Sequence, residues 1–410
     1  MKKTTSSILL LFILSITNSC VEEFNAGTIE FEDAIVIEAT ITNEFKYQKI
    51  LLSRTHKLEE KDVNPESDAI IRITTSSNNI YTFHETEPGI YISDVQFNAQ
   101  PSSNYQLSIT TSNGREYTSQ STQLTSNTSA IENVYAIRET NEDGVDGIGI
   151  YLDSFDPTNN SKYYGYEFEE TYQILAPFWN PMEFTIPDPP NHPSYNFIWT
   201  LTPRVQEERV CYTTVNSLGR LVTSTTLLSE DRVSKILIKF ISNDDLRINS
   251  RYSILVKQHT QSIQSYNYLE TLNDLSNSES LLSQNQPGFL AGGIFSVNNP
   301  NEKVLGFFEI SSVIQERLFF NRSDFFDSIT EPFPWECSPF MPSPPETLSL
   351  KTLIGLNKVS YFFGGPPPPR PPYRDPLEEW DLVEQWLVVE RHCGDCTQLG
   401  SNIKPSFWID

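Results

Sequence analysis

Most residue patterns that carry chemistry are missing from this chain of 410 residues. Its five histidines, His56, His84, His192, His259 and His392, never stand four apart, so no His-Glu-x-x-His zinc helix exists. No Gly-x-Ser-x-Gly elbow presents a serine nucleophile, and no glycine loop is built to cradle phosphate. Positive charge is short. Lys and Arg number 29 against 53 Asp and Glu, a net charge of −24, and no basic cluster interrupts that balance. Such a surface repels phosphate, which excludes nucleic acid and argues against anionic lipid headgroups as partners. Beyond the N-terminus no apolar run reaches the length of a membrane-spanning helix. Neither a metal nor a cofactor site is expected. Acidic residues are plentiful, so a carboxylate pair for a hydrolase stays open as a third reading, but nothing selects one pair over another.

What is there begins at the N-terminus. Lys2 and Lys3 precede a short apolar stretch from Ile8 to Ile16, and Ser19 stands before Cys20. This is the anatomy of a secretory signal over residues 1–19, too short to stay in a bilayer as a helix. A cysteine at the cleavage boundary resembles the bacterial lipobox, with Thr17 where that pattern prefers Leu. The resemblance implies a mature chain that starts at Cys20, carries palmitate-type acyl chains and sits on a membrane without crossing it. Residues 20–33 read as an acidic tether. Glu22 and Glu23 follow the cysteine directly, which resembles the surface-export signal of Bacteroidetes-type lipoproteins. The expected location is the outer membrane, lipid-anchored and facing the cell exterior.

From Ala34 the hydrophobic period is two. The run 34–41 is nearly all apolar and predicts a strand buried on both faces. Further strands follow at 48–54, 69–75, 80–83, 89–93, 105–109 and 116–119, with Asn113-Gly114 as a hairpin turn. Seven short strands predict an immunoglobulin-like or prealbumin-like β-sandwich over 34–122. After a Ser/Thr/Gln/Asn linker, a larger β-rich domain is expected over 130–330, with strands at 131–137, 148–155, 163–171, 236–240, 251–257 and 304–310. The acidic loop 141–147 misses the EF-hand spacing and reads as a hairpin turn. Ile263, Tyr266, Leu269, Leu272 and Leu275 mark one amphipathic helix over about 262–275. Residues 177–203 form a Pro- and aromatic-rich surface excursion, and Phe178-Trp179 there suits a sugar, a peptide or a protein partner. The remainder, 331–410, is Pro-rich, with a second helix expected over 377–391 and a cysteine-rich tail packed on the larger domain. The fold class is mainly β with one or two packed helices.

Once Cys20 is set aside, Cys211, Cys337, Cys393 and Cys396 remain. An even count in an exported chain predicts two disulfides, with three possible connectivities. A weakly periodic tail frays unless tied down, so Cys393 or Cys396 is expected to reach Cys337 and the other Cys211. A local Cys393–Cys396 bond is the main competitor. A redox pair or a zinc site joined by Cys337 or His392 is the lesser alternative.

Several segments together resemble a family of surface lipoproteins catalogued as domain of unknown function 4249. They are Ile35–Asn43, Leu51–Thr55, Asp156-Pro157 with Tyr163-Tyr164, Arg251–Gln258, and a tail with Cys393, Asp395, Cys396, Gly400, Lys404-Pro405 and Phe407-Trp408. Prolines after Phe363 and the Gly400-Ser401 pair depart from the pattern. Such proteins are typically encoded beside TonB-dependent outer-membrane receptors. The resemblance therefore implies an accessory or substrate-capture partner of a TonB-dependent transporter. A structural or adhesive surface protein is the alternative.

Overall fold

The computed structural model describes residues 33–56, 64–124, 128–186, 199–277, 292–327, 333, 335–342, 349–365 and 385–410. Cys20, Glu22 and Glu23 lie outside the described residues.

The first strands are β1 (Ile35–Thr42), β2 (Lys49–Arg54), β3 (Asn64–Pro65), β4 (Ile70–Thr75), β5 (Ile80–Glu87), β6 (Ile90–Ser93), β7 (Asn104–Thr110), β8 (Glu116–Ser119) and β9 (Thr122–Gln123). Their alternation is visible in the burial. Ile71 and Ile73 of β4 and Tyr105, Leu107 and Ile109 of β7 point inward, while Arg72, Gln106 and Ser108 point out. Period-two strands of this kind pair antiparallel, in the order β1-β2-β6-β5-β4-β7-β8. Only one face of β1 is fully buried. Ile35, Ile37, Ala39 and Ile41 enter the core, whereas Glu38 on the other face is exposed and Val36 and Thr40 are half-buried. That outer face floors the groove described below, so the expectation of burial on both faces does not hold.

The second set is β10 (Ala130–Thr140), β11 (Asp146–Phe155), β12 (Tyr163–Leu175), β13 (Met182–Thr185), β14 (Thr200–Pro203), β15 (Val210–Asn216), β16 (Leu221–Ser224), β17 (Arg232–Ser242), β18 (Arg251–Thr260), helix α1 (Ile263–Asn277), β19 (Ile294–Ser296) and β20 (Val304–Asn321). β20 is the joint of the molecule. Its first part, Val304–Ser311, runs parallel to β1, and its second part, Ser312–Asn321, runs antiparallel to β18. One sheet therefore passes from β15 through β12, β18 and β20 into β1 and on to β8 and β19. β19 also packs beside β20, so the N-terminal strands roll around one core that contains both Ile294 and Val304. They enclose that core as a sandwich does, but hydrogen-bond in one unbroken order. Gly306 makes the β20–β1 approach possible: its φ is +98°, and a Cβ there would lie 1.9 Å from the Ile37 carbonyl oxygen. A separate three-stranded sheet, β10-β11-β17, packs its apolar face on β12, β18 and β20. Asn141 turns the β10–β11 hairpin by accepting the Asp143 and Val145 amides, as a plain turn does.

The C-terminal part adds α2 (Leu350–Gly355), β21 (Val359–Gly365), β22 (Gln385–Glu390) and the single turn α3 (Arg391–Gly394). The helix expected over 377–391 is absent from the described residues of that span up to 390. Gln385–Glu390 is a strand paired with β21, because Trp386 and Val388 alternate inward and Val388-Val389 is a β-branched pair. The excursion over 177–203 contributes the β13–β14 hairpin, whose Phe184 and Trp199 pack edge-on against each other and against Trp386. No helix among the described residues is long and apolar enough to cross a membrane.

Candidate functional site

An open groove of about 840 Å³ runs between the outer face of β1, β2 and β20 and a wall made by α1 and the 217–220 turn. The sheet contributes Val36, Glu38, Thr40, Lys49, Leu51, Leu305 and Phe307, and the wall contributes Leu218, Arg220, Tyr268, Leu269 and Leu272. Helix α1 meets the sheet through Tyr268 and Leu269, while Ile263 and Leu272 of the expected stripe are exposed. Tyr268 accepts a hydrogen bond from the Gly306 amide at 2.9 Å, and its ring lies 5.1 Å from Phe307. Asn273 clamps the opposite side by donating to the Arg220 carbonyl at 3.1 Å.

Charged groups gather at the inner end. Arg220 donates to Glu309 at 2.8 Å and lies 3.8 Å from Glu167. Glu167 in turn lies 3.1 Å from Nε2 of His259. Glu309 is 1% exposed and His259 3%, so the pairing takes place largely out of water. Burial opposes ionisation of Glu167, but the His259 ring, Arg220 and Lys257 outweigh it and hold its carboxyl down at about 2. Burial and the neighbouring Arg220 cation push His259 below its ordinary 6.5, against the pull of Glu167 and Glu309. His259 Nδ1 lies 3.3 Å from Ser311 Oγ, while its Nε2, though 3.1 Å from Glu167, makes no hydrogen bond. The second oxygen of Glu309 and both amide atoms of Gln261 are buried without a hydrogen-bond partner. The arrangement is a fixed polar anchor at the end of a half-apolar groove.

The four late cysteines form two disulfides, Cys211–Cys396 and Cys337–Cys393, with Cα–Cα distances of 5.6 and 5.8 Å. Each sulfur of the Cys393/Cys396 pair thus reaches a distant partner, and the local bond is not made. Cys337, Cys393 and His392 do converge, with ligand atoms within 4.8 Å of one another. The two sulfurs there are bonded to each other, so no thiolate is left for a metal. Phe178 and Trp179 are half-buried. Phe178 packs edge-on to Phe362, and Trp179 packs on the core around the Cys211–Cys396 bond.

The other motif residues singled out in the sequence hold the framework. Asp156 accepts from the Thr158, Asn160 and Ser161 amides and sets the turn before β12. Asp231, equally buried, accepts from the Tyr164 hydroxyl and the Ser161 and Lys162 amides. Tyr252 donates to Glu170, which also pairs with Lys239. These buried carboxylates are saturated by donors and leave no lone pair aimed at a substrate. In the tail, Asp395 pairs with Arg391 and caps the following turn through the Thr397 amide. Gly400 lies on β15, where a Cβ would come within 2.5 Å of Thr213 Oγ1 and 2.7 Å of the Tyr212 carbonyl oxygen. Trp408 packs edge-on to Tyr212 and Phe319, and Arg317 lies over the Phe407 ring.

Sequence reading passed over the groove's anchor, because Glu167, Arg220, His259 and Glu309 come from four separate elements. The local signal was a charge inside an apolar strand, Glu167 in Tyr166-Glu167-Phe168 and Glu309 in Phe308-Glu309-Ile310.

No curated protein matches the chain. The family described as "Domain of unknown function (DUF4249)" matches residues 21–317, well over half of the sequence. The match spans the joint strand β20 almost to its end and all four residues of the anchor, while the tail from Cys393 to Trp408 lies past it. The chain belongs to the DUF4249 family.

Proposed function

We propose that this protein is a lipid-anchored outer-membrane lipoprotein that captures a ligand for a TonB-dependent transporter. The observation that carries the reading is the 840 Å³ groove with its buried charged anchor, which has the size and the mix of apolar wall and few placed polar groups of a ligand site. Supporting it are the lipobox-like segment ending at Cys20 and the acidic pair Glu22-Glu23. With a net charge of −24, the acyl chains rather than headgroup attraction would hold the chain at the membrane.

Purification of the tagged protein in mild detergent, from cells that also express the neighbouring receptor, tests the partnership. A β-barrel receptor should co-purify in comparable amount. Recovery of the lipoprotein alone would overturn the reading. Cys20→Ala should release the protein from the membrane fraction and end incorporation of labelled fatty acid.

A further inference from the structure

The lining of the groove discriminates among ligand classes. A glycan site needs an aromatic face on which a sugar ring can lie. The aromatic rings lining the groove are Tyr268 and Phe307, which pack on each other at a tilt of 48° with centroids 5.1 Å apart, and no tryptophan among the described residues lines it. An acyl chain would have to cover Glu38, Glu44, Lys46, Lys49, Glu167 and Arg220, and burying that many charges against hydrocarbon is strongly unfavourable. A polyanion meets as many carboxylates as cations there. What remains is a ligand that is itself aliphatic in part and charged with both signs.

Two of the charged groups are unpaired. Glu38 on β1 and Lys49 on β2 are exposed on the same face of adjacent strands, and neither has an ion-pair partner among the described residues. Glu38 stands opposite Leu51 in the strand register, and Lys49 precedes Leu51 by two, so the three share one face. Across the groove stand Leu269 and Leu272 of α1. An anion and a cation on one face of adjacent strands, opposite an aliphatic wall, complement a short peptide with an ammonium group, a carboxylate and aliphatic side chains between them.

We infer that the groove binds short peptides of mixed charge with aliphatic side chains, in preference to glycans. This inference rests on the capture reading above, and it names the class of what is captured. The test is titration calorimetry of the full chain lacking only its acyl anchor. The probes are the tetrapeptide Lys-Leu-Leu-Glu, its all-acidic counterpart Glu-Leu-Leu-Glu and maltohexaose. The mixed-charge peptide should bind at least tenfold more tightly than either competitor. Glu38→Lys and Lys49→Glu, both at exposed positions, should each weaken it about tenfold, and Leu272→Arg should abolish it. Maltohexaose binding that is lost in Leu272→Arg, with no peptide binding, would overturn the ligand class and leave the capture site standing. Binding of any probe unaffected by all three changes would overturn the groove itself. Co-purification of the receptor, measured separately, is indifferent to both results.

Discussion

The two ends of the long sheet are held by different means. At the N-terminal end the core is aliphatic and continuous: Ile35, Ile37, Ile41, Leu52, Ile71, Ile73, Leu107 and Ile109 are almost fully buried, and residues 33–124 contain no cysteine. At the far end, where the tail meets β12 and β15, the buried cluster is small: Ile174, Ala176, Cys211 and Cys396. Two of those four are the sulfurs of a crosslink. Where strands alternate over many turns of chain, burial alone supplies the stability, at about 25 cal/mol per Å² of apolar surface. Where a tail of turns and prolines must lie on a sheet edge, little apolar area is available, and covalent ties take over. Between the two ends sits the β20 joint, with the groove and its buried charges directly against it.

Breaking the crosslink should have the largest effect and the most local one. Cys211→Ser with Cys396→Ser removes a bond that spans 185 residues, and the chain-entropy treatment of a loop that long gives a loss of about 5 kcal/mol. Amide exchange should rise in β15 and in the tail from 393 to 408, and stay slow in β1, β4 and β7. Ile37→Ala, by contrast, should cost about 2–5 kcal/mol and speed exchange throughout the N-terminal roll.

Arg220→Leu tests the joint. It leaves Glu309, which is 1% exposed, without its cation, and removal of one partner of a buried pair costs about 3–5 kcal/mol. Adding Glu309→Gln should recover part of that loss in urea denaturation, because the stranded charge is then gone.

Gly400→Ala is a smaller probe of the far end. The new methyl group would meet Thr213 and the Tyr212 carbonyl, for a cost of about 1–3 kcal/mol from overpacking. Its signature is fraying of the tail with the N-terminal roll unchanged.

Acid gives the mildest perturbation, and its sign follows from the anchor. His259 is pushed below 6.5 in the folded protein, so the unfolded chain binds more protons just below that pH and stability falls as the pH drops through it. Glu167, held at about 2 against an ordinary 4.5, contributes stability that is present above 4.5 and lost between 4.5 and 2. Denaturation midpoints should therefore decline in two stages on acidification. His259→Gln should remove the first stage and shrink the second, because the ring is among the groups that hold Glu167 down.

The strands of the N-terminal roll were legible because period-two alternation is a local property, and Asn113-Gly114 marked its hairpin. The helix at 263–277 was legible in place but not in its face: Leu269 of the expected stripe is buried, Ile263 and Leu272 are exposed, and Tyr268 makes the contact instead. The joint was not. That Val304–Ser311 pairs with β1 depends on contacts across some 270 residues, as in Ile35 opposite Val304, and no periodicity announces them. β22 was misread as a helix because Trp386 and Leu387 fit a helical stripe as well as a strand when neighbouring strands are unknown. That the tail cysteines reach distant partners followed from mechanics, but which of Cys393 and Cys396 pairs with Cys211 did not, and the structure gives Cys396. The groove's anchor stayed hidden because its residues meet only after the sheet is assembled.

The proposed capture role requires the groove to face a transporter at the cell surface. Site-specific photocrosslinking on whole cells tests it most directly. A photoreactive side chain at Leu218, on the groove's rim and fully exposed, should yield an adduct with a β-barrel receptor. The same group at Ile403, exposed on the crosslinked tail, should not. An adduct from position 403 with none from position 218 would contradict the account.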